Sequence, residues 1–218
     1  IASPLLALAI TVVLGTILFV ALGKDPMRGL YVFFIEPVKS LYALSELAMK
    51  ATPLLLIALG LSVCFRSNVW NIGAEGQFIV GAIFASGVAM QAGPDTGRWI
   101  GVAVIAAGVL GGMVWAGIVA LLRDRFNASE ILVSLMMVYI ADMVLSYLVY
   151  GPWKDPAGYN FPQTITFLKS TQVPRLVEGF RVNIGLPIAL AAVAGFWVLL
   201  FRTYAGFQLQ VGGLAPAA

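Results

Sequence analysis

Six long apolar segments constrain the fold of this chain more than any other feature. They cover residues 4–22, 41–65, 69–90, 99–122, 131–150 and 182–201. A membrane-spanning helix needs about 20 predominantly apolar residues in a row. Membrane-spanning β-barrels instead alternate apolar and polar residues over segments of about ten. The segments therefore predict an all-α, polytopic membrane helical bundle, with about six spans in one domain that covers residues 1–218.

The composition supports this class and excludes several functions. Of the residues, 61% are hydrophobic and only 11% are charged, whereas soluble domains carry about 25% charged residues. The chain has no histidine and a single cysteine, Cys64, which excludes an intrachain disulfide and a cysteine-based metal cluster. No G-x-x-x-x-G-K-[ST] phosphate loop occurs, and no basic run suggests nucleic acid. We therefore expect no catalytic residue, metal or cofactor, and we expect another chain to supply any ATP hydrolysis.

Polar residues and glycines gather in one stretch of this apolar chain, "FRSNVWNIGAEGQFIVGAIFAS", residues 65–86. Its polar side chains include Asn68, Asn71, Glu75 and Gln77. Burying a charge at the centre of a bilayer costs roughly 2.5–3.5 kcal/mol on insertion scales. One interpretation is a turn at the membrane surface that precedes a new helix. A second is a broken membrane helix whose freed backbone groups and side chains line a polar path, and a third is packing without a function.

Asp142 is an isolated acid within the fifth apolar segment. Acids inside the membrane are functional hypotheses by default. Structural hydrogen bonding, a place on a substrate path and proton coupling remain three alternatives. Between the fourth and fifth segments, the run Asn127-Ala-Ser-Glu130 resembles a capping box and predicts a helix that starts at Asn127; a contact with the ATPase is the alternative.

Several motifs resemble those of a known transporter family. "ATPLLLIALGLSVCFRSNVWNIGAEGQFIVGA", "NASEILVSLMMVYIA", "GPWKDPAGYNFPQT" and "RTYAGFQLQVGGLAPAA" occur in this order along the chain. They resemble permease subunits of bacterial ABC importers in the branched-chain amino acid/ribose-type superfamily, and most closely its nucleoside branch, annotated for simple sugars. The resemblance covers nearly the whole chain.

The resemblance implies a ten-span permease in the bacterial inner membrane, of which this chain would hold about the first six spans and lack the rest. It also implies several partners. They are ATP-binding subunits, a second permease subunit, an extracytoplasmic substrate-binding lipoprotein and membrane lipid. The resemblance places the segment 71–77 against the translocation path, and we expect Asn68, Asn71, Glu75, Gln77 and Asp142 to line that path. Charge alone does not decide the topology.

Two further segments gain a role from the resemblance. The long loop 151–181 would face outward, where Trp153 and Tyr159 would contact the binding protein. Residues 205–218 would form a coupling segment that docks on the ATPase. Its proposed contact residues are Gly206, Gln208, Leu209, Gly212 and Ala217.

The local sequence pattern alone does not decide the secondary structure of the coupling segment. The alternation of apolar residues and glutamine at 207–211 alone suggests a strand, and it is the resemblance that favours a helix. We expect a first helix that ends at Gly212-Gly213 and a second helix that starts at Ala215.

The solute would be a nucleoside or a sugar. The alternative function is a secondary transporter or channel that works alone and couples to ions through Asp142 or Glu75.

Overall fold

The computed structural model describes residues 2–214, with nothing stated for the side chain of residue 2. Within that range the chain forms eight α-helices and two short 3-10 helices, and no strand longer than a single bridge. The helices are α1 (Ala2–Ala21), α2 (Pro26–Phe34), α3 (Leu41–Arg66), α4 (Ala74–Ala89), α5 (Trp99–Phe126), α6 (Glu130–Tyr150), α7 (Gly185–Arg202) and α8 (Tyr204–Leu214). The 3-10 helices are Glu36–Val38 and Lys169–Thr171. The predicted all-α architecture is confirmed.

Five of these helices are long and apolar enough to cross a membrane: α1, α3, α5, α6 and α7. Helix α4 is apolar but has only 16 residues, which span about 24 Å of a hydrocarbon core that is about 30 Å thick. It begins later than the predicted segment 69–90, because residues 67–73 are not helical. The chain is thus a multi-pass membrane protein in which one apolar helix is short.

Helix α2 was not predicted from the sequence. Asp25 caps its N-terminus by accepting hydrogen bonds from the backbone N–H of Met27 at 2.9 Å and of Arg28 at 3.4 Å. Pro26 occupies the first helical position, where its missing N–H costs nothing. The segment is short and comes after a Gly-Lys turn, so its apolar residues do not stand out as a span.

The chain divides into two compact units. The first unit comprises Ile1–Leu54 and Arg175–Ile188, and the second comprises Leu55–Pro174 and Ala189–Ala218. In the first unit α1 packs against α2. The guanidinium of Arg181 pairs with the carboxylate of Glu46 there, with 3.3 Å between Nε and Oε1. This ion pair ties the end of the long loop to the start of α3.

In the second unit α4 is the central helix. It packs most extensively against α5 and next against α6. Close approach depends on glycines: a methyl group at Gly81 would lie 2.9 Å from the carbonyl oxygen of Gly108, and one at Gly76 would lie 2.9 Å from the Cα of Val138. Small residues at helix contacts are typical of membrane proteins, where backbone approach replaces the hydrophobic driving force.

The structure corrects two local predictions. Asn127 does not start a helix but ends α5, with a left-handed φ of 54°, and α6 begins at Glu130. Gly212 and Gly213 do not end a helix, since α8 continues through both to Leu214. The proposed second helix from Ala215 lies outside the described residues. Because α8 is a helix, the alternation of residues 207–211 does not reflect a strand.

Candidate functional site

The polar stretch begins with a sharp end to α3. Asn68 has a left-handed backbone with φ of 55°. The N–H of Asn68 donates to the carbonyl oxygen of Phe65 at 3.1 Å, and the N–H of Val69 donates to that of Cys64 at 2.9 Å. This pair of bonds is the Schellman motif, in which a left-handed residue satisfies the last carbonyls of a helix. Residues 67–73 are therefore a defined break between α3 and α4 and not a frayed helix.

Two amides close this break. Asn71 Nδ2 donates to Gln77 Oε1, and Gln77 Nε2 donates back to Asn71 Oδ1, both at 3.3 Å. Asn71 Oδ1 also accepts from the backbone N–H of Gly73 at 2.9 Å, an Asx-turn that leads into α4. Both side chains are half-buried. The Asn71–Gln77 pair thus joins the non-helical segment to the first turn of α4.

Helix α6 anchors the same segment. The hydroxyl of Ser134, which is fully buried, accepts a hydrogen bond from the backbone N–H of Ile72 at 3.2 Å. A methyl group at Gly73 would lie only 2.9 Å from the Cβ of Ser134, so the backbone at residue 73 must be glycine to approach α6 this closely. Sequence reasoning missed Ser134, because a single serine within an apolar segment carries no distinctive signal.

A cavity of about 520 Å³ adjoins the Asn71–Gln77 pair. It is an open cavity lined by residues of α3, α4 and α5, and most of its lining side chains are apolar or very small. Besides the two amides, the lining residues are Leu56, Ile57, Gly60, Leu61, Cys64, Ala74, Phe78, Gly108, Val109, Gly112, Met113 and Ala116. Its size lies within the roughly 300–1,000 Å³ that small-molecule sites occupy.

The structure brings together only two of the five predicted path residues. Asn71 and Gln77 pair with each other, whereas Asn68, Glu75 and Asp142 are exposed and do not line this cavity. Asn68 accepts a hydrogen bond from the indole N–H of Trp70 at 3.3 Å. Within the described residues, neither Glu75 nor Asp142 has an ion-pair partner.

The two aromatic residues predicted for the long loop occupy different settings. Trp153 is half-buried, and its indole ring lies 3.7 Å from the position a methyl group would take at Gly87 of α4. Tyr159 is 96% exposed and has a left-handed φ of 46°, and the next residue, Asn160, has a φ of 67°. A left-handed backbone is uncommon for a bulky side chain, so the loop projects Tyr159 at some conformational cost.

The coupling segment also divides by exposure. On α8, Gly206 is buried and Leu209 is half-buried, whereas Gln208 and Gly212 are exposed. Gln208 and Gly212 are four residues apart and therefore share a helix face. Ala217 lies outside the described residues.

Comparison with known proteins places the chain in a family. The sequence profile described as "Branched-chain amino acid transport system / permease component" matches residues 43–218. The chain belongs to this permease family. The resemblance inferred from the motifs is thereby confirmed.

Three curated relatives of this permease chain are named as ABC transporter permeases. The glucose ABC transporter permease protein TsgB13 of Haloferax volcanii is 33% identical, over 97% of this chain and 58% of its own length. The guanosine ABC transporter permease protein NupP of Bacillus subtilis is 26% identical, over 96% and 60%. The nucleoside ABC transporter permease protein NupB of Lactococcus lactis subsp. cremoris is 27% identical, over 99% and 61%.

The permease chain spans about three fifths of the length of these relatives. No solved structure matches it.

Proposed function

We propose that the chain is part of the membrane-spanning permease subunit of an ATP-binding-cassette importer in the bacterial inner membrane. The observation that carries this proposal is the family match over residues 43–218. Relatives named as ABC permeases for guanosine, nucleosides and glucose support it. They favour this function over a stand-alone transporter that couples to ions through Asp142 or Glu75. Separate ATP-binding subunits, a second permease subunit and a substrate-binding lipoprotein complete the importer.

The solute enters the path beside the Asn71–Gln77 pair. Amide groups offer both donors and acceptors, which suits a nucleoside or a sugar. The adjoining cavity of about 520 Å³ has room for either. Asn68, Glu75 and Asp142 belong to the same path only if they face it in the assembled permease, since they are exposed in this chain.

Transport by the assembled importer tests the function. The full-length permease is reconstituted into proteoliposomes with the ATPase, permease and binding-protein products of its neighbouring genes. Uptake of a radiolabelled nucleoside and of glucose is measured with and without internal ATP. We expect ATP-dependent uptake of one solute class. Uptake that depends on an imposed ion gradient and needs no ATPase would identify the stand-alone transporter instead.

Thiol chemistry tests the path. Asn71→Cys and Gln77→Cys are prepared in a Cys64→Ala background and treated with a membrane-impermeant thiol reagent during transport. We expect both to react, at rates that change when substrate and ATP are added. Val102→Cys is the control, because Val102 is 71% exposed on α5 and does not line the cavity. Complete protection of both path positions in every transport state contradicts the assignment.

Tyr159 and Trp153 contribute differently to a contact with the binding protein. The exposed Tyr159 is the direct contact, and Trp153 holds the loop against α4. A photoreactive residue at position 159 should crosslink to the binding protein, and one at the half-buried position 153 should crosslink less. Equal crosslinking at both positions contradicts this division.

A further inference from the structure

Helix α8 turns away from α7 at a tightly fixed elbow. The hydroxyl of Thr203 donates to the carbonyl oxygen of Leu199 at 2.6 Å and accepts from the backbone N–H of Gly206 at 3.2 Å. A methyl group at Gly206 would overlap the carbonyl oxygens of Leu199 and Leu200. The direction in which α8 leaves α7 is therefore set by backbone contacts that only glycine permits.

The far end of α8 rests on the end of α3. A methyl group at Gly213 would overlap the carbonyl oxygen of Arg66 and would lie 2.9 Å from the carbonyl carbon and 3.0 Å from the Cα of Ser67. Since these atoms belong to the backbone, no side-chain rotation could relieve the overlap. The neighbouring Gly212 has nothing within 4 Å of the corresponding position. One face of α8 thus packs on the α3 terminus and the other is open.

A second contact, from α7, holds the same end of α3. The guanidinium carbon of Arg66 lies 4.2 Å from the ring centroid of Phe201, near the end of α7. Cation–π contacts of this kind are worth about 0.5–1 kcal/mol at exposed sites and more where water is excluded. The α3 terminus is therefore held by both α7 and α8.

The α3 terminus leads directly to the amide pair. Only residues 68–70 separate Ser67, which belongs to the Gly213 contact, from Asn71. The Schellman bonds of Asn68 and Val69 fix the start of this link, and the bonds of Asn71 to Gly73 and Gln77 fix its end. If α8 is displaced, Arg66 and Ser67 must either move with it or lose their contact with Gly213.

We propose that the contact of Gly213 with Arg66 and Ser67 positions the α3–α4 break, so that movement of α8 shifts the Asn71–Gln77 pair. This inference rests on the proposed function and on the expectation from the resemblance that residues 205–218 dock on an ATPase subunit, here through the open face of α8. Gly213 is a positioning residue in this scheme, because it touches neither solute nor ATPase. Gly212 lies on the docking face and Gly213 on the transmitting face of the same helix turn.

The substitution Gly213→Ala tests the link in the full-length, assembled importer. We expect ATP-driven uptake to fall at least tenfold and substrate to lose its stimulation of ATP hydrolysis. ATPase association and basal hydrolysis should persist. In an Asn71→Cys, Cys64→Ala background, thiol labelling at position 71 should no longer change when ATP is added. A loss of fold alone would instead remove association and basal hydrolysis together.

Gly195→Ala is the matched control. Gly195 lies in α7, also helical, with nothing within 4 Å of the methyl position. Both substitutions replace a helical glycine by alanine and gain the same helix propensity. Uptake and ATP-dependent labelling should stay within twofold of wild type in Gly195→Ala.

Phe201→Leu provides a second variant if Gly213→Ala does not assemble. It removes the cation–π contact but keeps an apolar side chain, and we expect the same uncoupling at a few-fold level. The inference is overturned if every assembling variant keeps uptake and ATP-dependent labelling within twofold of Gly195→Ala. Failure of the wild-type complex to hydrolyse ATP or to bind an ATPase would instead refute the proposed function. That outcome is distinct from any effect of Gly213→Ala.

Discussion

Two breaks between helices in the second unit each contain a left-handed asparagine but differ in how they are closed. Residues 67–73 separate α3 from α4, and residues 127–129 separate α5 from α6. Asn68 and Asn127 adopt nearly the same left-handed φ, 55° and 54°. Both come after helices with arginine in the last turn, where a cation complements the helix dipole. Their capping bonds differ, since the N–H of Asn68 donates to the carbonyl oxygen of Phe65, whereas the N–H groups of Asn127 and Ala128 both donate to that of Leu122.

The closing contacts distinguish them. The 127–129 break is short, and an ion pair of Arg123 with Glu130 spans it, with 3.6 Å between Nη1 and Oε1 and both side chains partly exposed. The 67–73 break is closed by the Asn71–Gln77 pair and by buried Ser134. A left-handed asparagine therefore marks only a helix end. The additional polar groups distinguish a candidate site from a connection.

The largest expected effect is at Asn71. Asn71→Leu keeps the approximate size but leaves the Gln77 amide and the Gly73 N–H without their acceptor. An unsatisfied polar group costs about 1–3 kcal/mol when buried and less at these half-buried positions, and the proposed path loses one amide. We expect uptake by the reconstituted importer to fall at least tenfold and the apparent melting temperature in detergent to fall.

A double-mutant comparison separates stability from transport. Replacing both partners of a buried hydrogen bond by apolar groups can be nearly neutral. The variant with Asn71→Leu and Gln77→Leu should therefore melt closer to wild type than the sum of the single variants, yet transport should stay low. Transport that recovers together with stability would show that the amides serve packing alone.

The next effect is at Ser134. Ser134→Ala removes the acceptor for the Ile72 N–H but leaves the amide pair intact. We expect a destabilisation of about 1–3 kcal/mol, seen as a lower melting temperature, and a several-fold loss of uptake. Ser129→Ala is the control in the other break, because Ser129 caps α6 without a side-chain hydrogen bond. Equal effects of the two substitutions contradict a special role for the 67–73 break.

The sequence predicted the spans better than the site. Apolar runs mark membrane helices because length and composition are local properties. The sequence predicted an interruption in this segment, and residues 67–73 are indeed not helical, but a surface turn and a broken membrane helix both fit that break. Ser134 lies 62 residues from its partner Ile72, and no local pattern reveals such a contact.

The sequence also did not reveal which of these side chains are exposed. Asn71, Gln77 and Glu75 are close in sequence, yet only the first two line the cavity and Glu75 is exposed. The same holds for Gly212 and Gly213. They are adjacent in sequence, but on α8 Gly213 packs against the end of α3 and Gly212 faces open space. Which face of a helix is covered depends on its neighbours in space.

The capping asparagines should show smaller and matched effects. A left-handed backbone costs a residue with a Cβ roughly 1–2 kcal/mol, and Asn and Gly avoid much of this cost. Asn68→Ala and Asn127→Ala should therefore lower the melting temperature by similar amounts, whereas Asn68→Gly and Asn127→Gly should be tolerated. Of the two alanine variants, only Asn68→Ala should also reduce uptake, because it alters the chain that leads to Asn71. Reduced uptake in both would remove the distinction between the breaks.

The smallest expected effect is at the ion pair that closes the 127–129 break. The side chain of Arg123 is 42% exposed and that of Glu130 is 20% exposed, and exposed pairs contribute only about 0–1 kcal/mol. Arg123→Gln should therefore change the melting temperature little and leave uptake within twofold of wild type. High salt should reduce even this small difference, since screening weakens exposed pairs. Glu130→Gln removes the other partner of the same ion pair, and its effects on melting temperature and uptake should equal those of Arg123→Gln. A large loss of uptake in both variants would mean that the 127–129 break also contacts a moving partner. An amide pair like Asn71–Gln77 would then not be needed for a break to take part in transport.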